Sequence, residues 1–289
     1  MDCVINFRAA MTTAFGQLEF LPVADGAIHR FLVPGDRAGS HNGWYLLFAD
    51  GIASGCFGSW KVGAVHHWSS REPVDHLEAQ LIRQRIAQAK HQREAGQRHR
   101  QQSAAEYAQR LRRDARRADP DHGYLIAKQI RPFHLRQHGN LLLVPLIYEG
   151  VLVNLQRIGP DGKKRFLSGG RITGCYSPLG SISPGKPLYV SEGWATGATI
   201  HESTGSAVAC AMTCGNLLAV GQHLQRRYPD AVLIVAGDDD RQTDGNPGKT
   251  AAIKAAAALG CGLVLPPWPD DAPLTLSDFN DLANWRAAQ

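Results

Sequence analysis

The spacing of apolar runs changes at about residue 187. From there to the end, short apolar runs alternate with segments of helical composition. We predict strands at 188–190, 207–211, 231–236 and 262–265, and helices at 195–203, 216–227 and 250–259. This alternation favours an α/β fold, a parallel sheet covered by helices, in which functional groups gather at the carboxyl ends of the strands.

The chain before residue 187 has two stretches that favour β structure, separated by one that favours helix. Residues 20–68 contain short apolar runs between turn signals such as Asn42-Gly43 and Asp50-Gly51, which predicts a small antiparallel unit. Residues 76–118 lack Pro and favour a long helix or helix pair. A second β-rich stretch follows and extends to about residue 185. The predicted domains are therefore 1–75, 76–120, 121–185 and 186–289.

Charge is distributed unevenly along the 289 residues, whose formal net charge is +5. Residues 76–118 carry eleven basic and four acidic side chains, whereas residues 187–282 carry eleven acidic and five basic ones. A basic segment joined to an acidic one suits an enzyme that holds a polyanion and performs phosphate chemistry with metal ions. A solvated basic helix beside an acidic surface is the alternative, and charge alone does not choose between them.

Composition excludes several classes of protein. Apolar residues make up 44% and charged residues 20%, which is typical of a folded protein and excludes wholesale disorder. No apolar stretch approaches a bilayer span, and the first 30 residues lack the order of a secretory signal. The six cysteines form no CxxC pair, so we expect reduced thiols and a cytoplasmic protein.

Acidic residues follow two of the predicted strands. Glu192 comes directly after the first strand, and Asp238-Asp239-Asp240 comes after the apolar run 231–236. Because alternate residues at a strand end point the same way, Asp238 and Asp240 are the stronger candidates for one shared site and Asp239 the weaker. Carboxylates brought together repel one another unless a hard cation joins them, and Mg²⁺ or Mn²⁺ suits such ligands. A helix-start carboxylate at Glu192 and an acidic turn at the Asp run are the structural alternatives.

These motifs make the specific resemblance of the chain clear. An apolar strand ending in Glu-Gly, followed by a strand ending in Asp-x-Asp, resembles the TOPRIM domain of bacterial-type primases, topoisomerases and some nucleases, over about residues 186–289. Ser277-Asp278-Phe279-Asn280-Asp281 resembles the element that closes this domain in phage and plasmid primases. The resemblance implies a Rossmann-like parallel sheet with helices.

The resemblance also implies roles for the acidic residues. Glu192 would be an acid/base or metal-organising group, and Asp238 and Asp240 would be metal ligands, joined by Asp278 and Asp281. The implied cofactor is Mg²⁺ or Mn²⁺, with two or more ions, and no zinc is expected because the ligands of a zinc ribbon are missing.

One motif is a decoy. Gly245-Asn246-Pro247-Gly248-Lys249-Thr250 looks like a phosphate-binding loop, but Thr243 stands where that motif requires Gly. We therefore interpret the Gly-Lys-Thr as the start of an alanine-rich helix.

Upstream, the chain resembles the basic subdomain that precedes TOPRIM in primases of mobile elements. The resemblance lies in 143–146, in 162–171 and in 121–125 followed by Lys128. By that analogy the basic side chains of this block would contact triphosphate or template backbone. These candidates are Lys128, Lys163, Lys164, Arg165 and Arg171. A solvated turn with basic flanks is the alternative for each of them.

The N-terminal block resembles the opening module of plasmid and phage primase proteins. Its aromatic residues alternate with basic residues. The aromatic rings can stack on the bases of single-stranded DNA while the basic side chains hold its phosphates. Arg30, Trp60 and Lys61 are candidates for such contacts. Trp44, Trp60 and Trp68 could equally form the core of the module, and we expect that role for at least two of the three.

The resemblance favours a DNA primase that copies single-stranded DNA from ribonucleoside triphosphates into short RNA primers for a plasmid, phage or integrated element. A replicative helicase is a plausible partner because the chain shows no ATP motor, and no membrane is expected. Two alternatives remain open. One is a metal-dependent TOPRIM nuclease, and the other is a non-catalytic accessory protein that binds single-stranded DNA.

Overall fold

The structure is a computed structural model that describes residues 3–74 and 76–289. It divides into two compact units, Met1–Arg98 and His99–Gln289. Among the described residues, none of the helices is both long and apolar enough to cross a bilayer.

The N-terminal unit is a four-stranded sheet with a helix on one face. Its strands are antiparallel and neighbour one another in chain order. The elements are α1 (Cys3–Phe15), β1 (His29–Phe31), β2 (Gly43–Phe48), β3 (Ser54–Ser59), β4 (Val65–Ser69) and the first part of α2 (His76–Asp114). Phe7 and Met11 of α1 are fully buried against Tyr45 and Phe57 of the sheet. The sequence analysis predicted only β structure here and did not include α1.

Two of the three tryptophans named above belong to the core of this unit. Trp44 is 4% exposed and packs with Leu46 on the sheet face opposite α1. Trp68 lies edge-on to Phe7, with ring centroids 5.3 Å apart. Trp60 is 38% exposed. The expectation that at least two of them are core residues is therefore confirmed.

The second unit begins within α2 and contains two five-stranded sheets. Its further elements are β5 (Arg116–Arg117), α3 (Gly123–Lys128), β6 (Arg136–His138), β7 (Leu141–Tyr148), β8 (Val151–Ile158), β9 (Lys164–Phe166), β10 (Ser177–Leu179), β11 (Pro187–Ser191), α4 (Trp194–Thr204), β12 (Ala207–Cys210), a 3-10 turn (Cys214–Asn216), α5 (Leu217–Arg227), β13 (Val232–Ala236), α6 (Pro247–Leu259), β14 (Gly262–Val264) and α7 (Phe279–Ala287). The helix predicted at 76–118 is one continuous helix that ends at Asp114. The sequence analysis did not predict α3 or α7.

The first sheet of this unit is antiparallel, in the order β5-β6-β7-β8-β9. One face is covered by the end of α2 and the residue that follows it, where Ala108 and Ala115 pack on Leu143 and Leu155. The opposite face, through Leu142 and other side chains of β7, joins the large core that includes Trp194 and Ala198 of α4. The sheet therefore presents alternate residues of each strand to two different environments.

The second sheet has the order β10-β12-β11-β13-β14. Strands β11 to β14 are parallel, with β11 in the middle, and helices cover the sheet, which confirms the predicted α/β fold with a parallel sheet. Strand β10 pairs antiparallel with β12 and lies before residue 186. The sheet thus recruits a strand from the stretch that the sequence analysis assigned to the basic subdomain.

Candidate active site

The register of the parallel sheet brings Glu192 and Asp238 to one edge. Strands β11 and β13 are direct neighbours, and Ser191 is paired with Ala236. Glu192 follows Ser191 at once, and Asp238 follows Ala236 after one glycine. Both carboxylates therefore leave the carboxyl ends of adjacent strands, where the sequence predicted them.

Asp238 is the most perturbed acid of this edge. Its Oδ1 atom is buried and has no hydrogen-bond partner among the described residues. Burial, followed by repulsion from Glu192 and Asp278, raises the pKa of Asp238 to about 8. A carboxylate in this position is costly to ionise, so it favours either a proton or a cation.

Glu192 and Asp278 share this environment. Burial, followed by the charge of Asp240, raises the pKa of Glu192. Burial, followed by the charge of Asp281, raises the pKa of Asp278. Asp278 is the N-cap of α7, where its Oδ1 accepts the backbone N–H of Asp281 at 2.8 Å. The closing element of the sequence therefore adds its first acid to the cluster formed by Glu192, Asp238, Asp240 and Asp278, which we call the acidic cluster.

Asp240 is held at the start of α6. Its Oδ2 accepts the N–H of Gly248 at 2.9 Å, and its own N–H donates to Asn246 Oδ1 at 2.9 Å. A Cβ atom at Gly248 would lie 2.8 Å from that Oδ2 and 3.1 Å from the Asp238 backbone oxygen, so only glycine allows this approach. The Gly-Lys-Thr begins a helix as predicted, and its N-terminus binds a carboxylate of the chain itself.

Asp239 has a different role from its neighbours. It is 7% exposed, and its Oδ1 accepts from Asn246 Nδ2 at 2.7 Å and lies 3.5 Å from Lys249 Nζ. Its N–H donates to Ser277 O at 2.7 Å. Asp239 thus fastens the strand end to the segment before α7. The sequence analysis ranked it below Asp238 and Asp240 but gave no role to Asn246, whose Asn-Pro-Gly context marks a helix cap.

Asp281 ties a lysine from the other half of the unit to this edge. Its Oδ1 accepts from Lys128 Nζ at 3.0 Å, and its Oδ2 accepts the N–H of Ser277 at 3.1 Å. Asn280 and Asn284 also bind the backbone oxygen of Lys128, at 2.7 and 3.2 Å. Burial alone would lower the pKa of Lys128. The negative charges of Asp278 and Asp281 have the larger combined effect, so the pKa of Lys128 is raised. Each oxygen of Asp281 accepts one of these bonds, so Asp281 positions Lys128 and Ser277, and its metal ligation stays a prediction.

Lys164 and Arg165 diverge because they alternate along β9. Lys164 lies with its Nζ 5.6 Å from the ring centroid of Tyr124. Much of its side chain is accessible, yet the surrounding protein and the charge of Lys128 lower its pKa, against the attraction of Asp278 and Asp238. Lys164 therefore belongs beside the acidic cluster. Arg165 is paired with Arg157 across the strands and lines a separate cavity on the other face.

Two further basic candidates make local contacts. Lys163 Nζ lies 2.7 Å from Asp161 Oδ2 in the turn before β9, and it lines the same cavity as Arg165. The Arg171 guanidinium lies 3.4 Å from the ring centroid of Tyr148 and donates to Thr173 O. Of the five basic candidates in this block, the structure brings Lys128 and Lys164 to the acidic cluster. The positions of these two lysines in the sequence did not distinguish them from the other three candidates.

The three candidates of the N-terminal unit also differ in their contacts. Lys61 is bound to Asp36 at 2.7 Å. Trp60 contacts Arg93, whose guanidinium carbon is 5.1 Å from its ring centroid. Arg30 is exposed on β1 and is paired with Trp44 of β2. Lys61 therefore has an acidic partner, whereas Arg30 and Trp60 remain available to a ligand.

The acidic cluster fits a divalent metal ion. The fit rests on the unpartnered buried oxygen of Asp238 and on the mutual repulsion of oxygen donors that Mg²⁺ and Mn²⁺ prefer. Within residues 3–74 and 76–289, no group of three or more Asp, Glu, His or Cys side chains is arranged so that the protein alone could hold a metal ion. Mg²⁺ characteristically keeps waters and substrate phosphates in its coordination shell, so a partial protein set is consistent with this chemistry.

Comparison with known proteins supports the domain assignment. Residues 187–288 match the family model described as Toprim domain. The chain is similar to two Escherichia coli proteins named DNA primase TraC. One is 34% identical over 263 residues, which are 85% of this chain and 24% of that protein, and the other is 32% identical over 276 residues, which are 89% and 19%. The chain thus spans about a quarter or less of these curated relatives.

Two solved structures show weaker likeness. A chain from the structure of bacteriophage T7 lagging-strand DNA polymerase interacting with the primase domains of two gp4 subunits is 15% identical. The match covers 56% of this chain and 85% of that chain, with a TM-score of 0.39. The catalytic core of DnaG is also 15% identical, with 56% and 54% covered and a TM-score of 0.36. With TM-scores below 0.5, neither adds to the family match.

Proposed function

Because residues 187–288 form a Toprim domain and the chain is homologous to DNA primase TraC, we propose that this protein is a DNA primase. It joins ribonucleoside triphosphates into short RNA primers on single-stranded DNA, for a plasmid, phage or integrated element in the cytoplasm. The observation that carries the proposal is the buried Oδ1 of Asp238 at the end of β13, which has no hydrogen-bond partner among the described residues and belongs to the acidic cluster.

The acidic cluster would hold the divalent ions of the reaction, Mg²⁺ or Mn²⁺. Asp238, Asp240 and Asp278 provide oxygen ligands, and Glu192 lies beside them at the end of the adjacent strand. When bound, such ions neutralise the triphosphate and stabilise the charge that develops during phosphoryl transfer.

The lysines beside the acidic cluster would hold the triphosphate. Lys128 is fixed by Asp281, and Lys164 lies over Tyr124. Their charges oppose those of the carboxylates, so a nucleotide that enters would find cations for its phosphates on one side and acids for metal ions on the other. Lys163, Arg165 and Arg171 would then contact the template backbone, away from the acidic cluster.

Glu192 would take the proton in the chemical step. The primer 3′-oxygen attacks the α-phosphorus, the bond from that phosphorus to the bridging oxygen breaks, and pyrophosphate leaves. The raised pKa of Glu192, caused by burial and then by Asp240, suits a group that accepts the hydroxyl proton near neutral pH.

Primer synthesis tests the proposal directly. Purified protein is incubated with single-stranded DNA, four labelled ribonucleotides and Mg²⁺ or Mn²⁺, with Glu192→Gln beside it. The matched control is Glu106→Gln, which makes the same change at an exposed position of α2. We expect short metal-dependent products from the wild type and the control, and a loss of at least about 100-fold in Glu192→Gln.

The same assay discriminates the alternatives. Template cleavage without nucleotides would replace the primase with a Toprim nuclease. Protein that binds the strand yet forms no product under any metal condition would favour an accessory role. A helicase partner is a further proposal, tested by whether an added replicative helicase stimulates primer synthesis.

A further inference from the structure

A cavity of about 350 Å³ lies in the N-terminal unit, between α2 and the sheet face opposite α1. Trp44, Leu46 and Cys56 of the sheet line it, and α2 contributes Ile86, Lys90 and Arg93. Its volume lies in the range of small-ligand pockets, and its floor is apolar and aromatic. The function proposed above makes no use of it.

The strand register aligns further residues with this cavity. Arg30 is paired with Trp44, and Trp44 is paired with Gly58. Residues paired across antiparallel strands point to the same face, so Arg30 shares the cavity face with Trp44. A Cβ atom at Gly58 would lie 2.9 Å from the Trp44 ring, and glycine therefore lets the indole lie flat over the neighbouring strand.

Arg93 joins two aromatic rings at the rim. Its guanidinium carbon is 5.0 Å from the ring centroid of Trp44 and 5.1 Å from that of Trp60, and the two rings are 6.0 Å apart. Arg30, Lys90 and Arg93 form no ion pair within the described part of the chain. Among residues 3–74 and 76–98, no acid forms an ion pair with these three cations, so the rim carries their positive charge.

We propose that this cavity binds an unpaired base of single-stranded DNA, while Arg30, Lys90 and Arg93 hold the adjacent phosphates. The Trp44 indole in the lining suits a planar heterocycle, and the cations at the rim suit its backbone. This combination is the physical basis of single-strand binding. The choice of DNA rests on the proposed primase function. Trp60 and Arg30 keep the role expected from the sequence, whereas Lys61, bound to Asp36, is replaced by Lys90 and Arg93.

Photocrosslinking of the full chain tests where the base lies. An oligothymidylate in which 5-bromodeoxyuridine replaces some thymidines is irradiated with the protein, and the modified peptides are mapped by mass spectrometry. We expect crosslinks in the peptides that contain Trp44, Cys56 or Trp60. Crosslinks confined to residues 99–289 would overturn the proposal.

A second measurement separates base binding from charge alone. Affinities for oligothymidylate and for an abasic strand of equal length are compared by fluorescence anisotropy, for the wild type, Arg93→Gln and Lys90→Gln. Arg98→Gln is the control, with the same charge change at an exposed site of α2 outside the cavity. We expect the wild type to bind the abasic strand at least about 10-fold more weakly, and Arg93→Gln to lose about 5- to 10-fold on the thymidine strand.

The outcomes separate this proposal from the proposed function. Equal affinity of the wild type for both strands, or equal losses in Arg93→Gln and Arg98→Gln, would overturn the cavity proposal whatever the primer assay shows. Base-dependent crosslinks in the cavity would support it even if no primers form. If the cavity binds a protein segment and not DNA, no crosslinks to the N-terminal unit will form. That result would count against the proposal.

Discussion

The acidic cluster and the cavity lined by Trp44 in the N-terminal unit differ in whether their charged groups are stabilised by their neighbours. In the acidic cluster, side chains of one sign crowd together under partial burial, and the pKa of Asp238 rises to about 8. In the cavity, the Arg93 cation lies over Trp44 and Trp60, which stabilise it electrostatically. The first site is therefore under electrostatic strain before any ligand arrives, and the second is not.

This difference shows how each site can be identified. A site that binds cations with clustered carboxylates lowers the stability of the free protein, so removing one charge should increase stability while removing function. A site built from rings and a cation contributes to the fold, so removing its charge should decrease stability. The sign of the stability change thus distinguishes the two kinds of site.

The largest effect is expected from Asp238→Asn. The amide cannot provide the charge that a metal ion requires, so we expect primer synthesis to fall by at least about 100-fold. The same change removes the strained carboxylate, so the thermal midpoint in metal-free buffer at pH 8 should rise. Thermal unfolding beside the primer assay measures both.

The control for this pair of measurements is Asp244→Asn. Asp244 is an exposed acid in the same strand-to-helix segment, and its loss should leave the midpoint and the activity near the wild-type values. An Asp238→Asn protein that is less stable than the wild type at pH 8 would contradict the assignment of strain to this carboxylate.

The pH dependence of stability gives the next effect. The folded-state pKa of Asp238 lies near 8 and the unfolded value near 3.8, so the folded protein retains the proton over this range. The stabilisation that comes from this more tightly held proton of Asp238 is fully present below about pH 4. It is lost as the pH rises to about 8. We expect metal-free wild type to lose a few kcal/mol relative to Asp238→Asn across this window, measured by urea unfolding.

Added Mg²⁺ or Mn²⁺ should cancel that loss. A metal ion that binds only the folded state stabilises it by mass action, and under the proposal ionised Asp238 is the form that binds the ion. The wild type should therefore gain stability with metal at pH 8 and gain little at pH 5. An equal metal effect in Asp238→Asn would place the ion elsewhere.

Lys164→Gln should produce a smaller loss of activity. Lys164 balances part of the carboxylate charge and is proposed to hold the triphosphate, so we expect a 10- to 30-fold loss in kcat/KM for ribonucleotides, mostly through KM. The control is Lys254→Gln, an exposed lysine of α6. Arg165→Gln sharpens the test because the Arg165 side chain lies on the other face of β9. This substitution should lower the affinity for the template rather than for the nucleotide. Equal nucleotide effects at Lys164 and Arg165 would contradict the division between the two faces.

The smallest effect is expected from Arg93→Gln. Loss of its contacts with Trp44 and Trp60 should lower the free energy of unfolding by about 0.5–1 kcal/mol, the magnitude of an exposed cation–π contact. Urea unfolding beside Arg98→Gln measures it. A gain in stability would mean that the cavity is strained like the acidic cluster.

The sequence was sufficient to predict the parallel sheet and its edge. Glu192 and Asp238 each follow an apolar run, and in a parallel sheet the carboxyl ends of strands share one edge. The period of two along a strand also separated Asp239 from its neighbours. These inferences depend on local order only, so they required no knowledge of distant contacts.

The rest depends on pairings across long sequence distances. Lys128 reaches Asp281 across 153 positions, and no local pattern indicates such a bond. The choice of Lys164 over Arg165 follows from the register of β9 on β8, which a three-residue strand does not reveal in sequence. Gly248 resembles part of a phosphate loop until the close approach of Asp240 is seen. The helix α1 was missed although Phe7 and Met11 anchor it in the core. The helices α3 and α7 were missed although His122 and Asp278 cap their first turns, a signal that lies in the local sequence.

The pairing of β10 with β12 determines where this domain can be cut from the rest of the chain. Residues 177–179 complete the sheet at its β12 edge, yet they lie before the stretch that matches the Toprim family. The bridge between Ile147 and Tyr176 fastens the same segment to β7 of the antiparallel sheet. A fragment cut at Pro187 would expose the backbone of β12 as an open edge, which invites aggregation. The smallest portable piece of this protein, in the laboratory or in gene fusion, therefore includes the antiparallel sheet of β5 to β9.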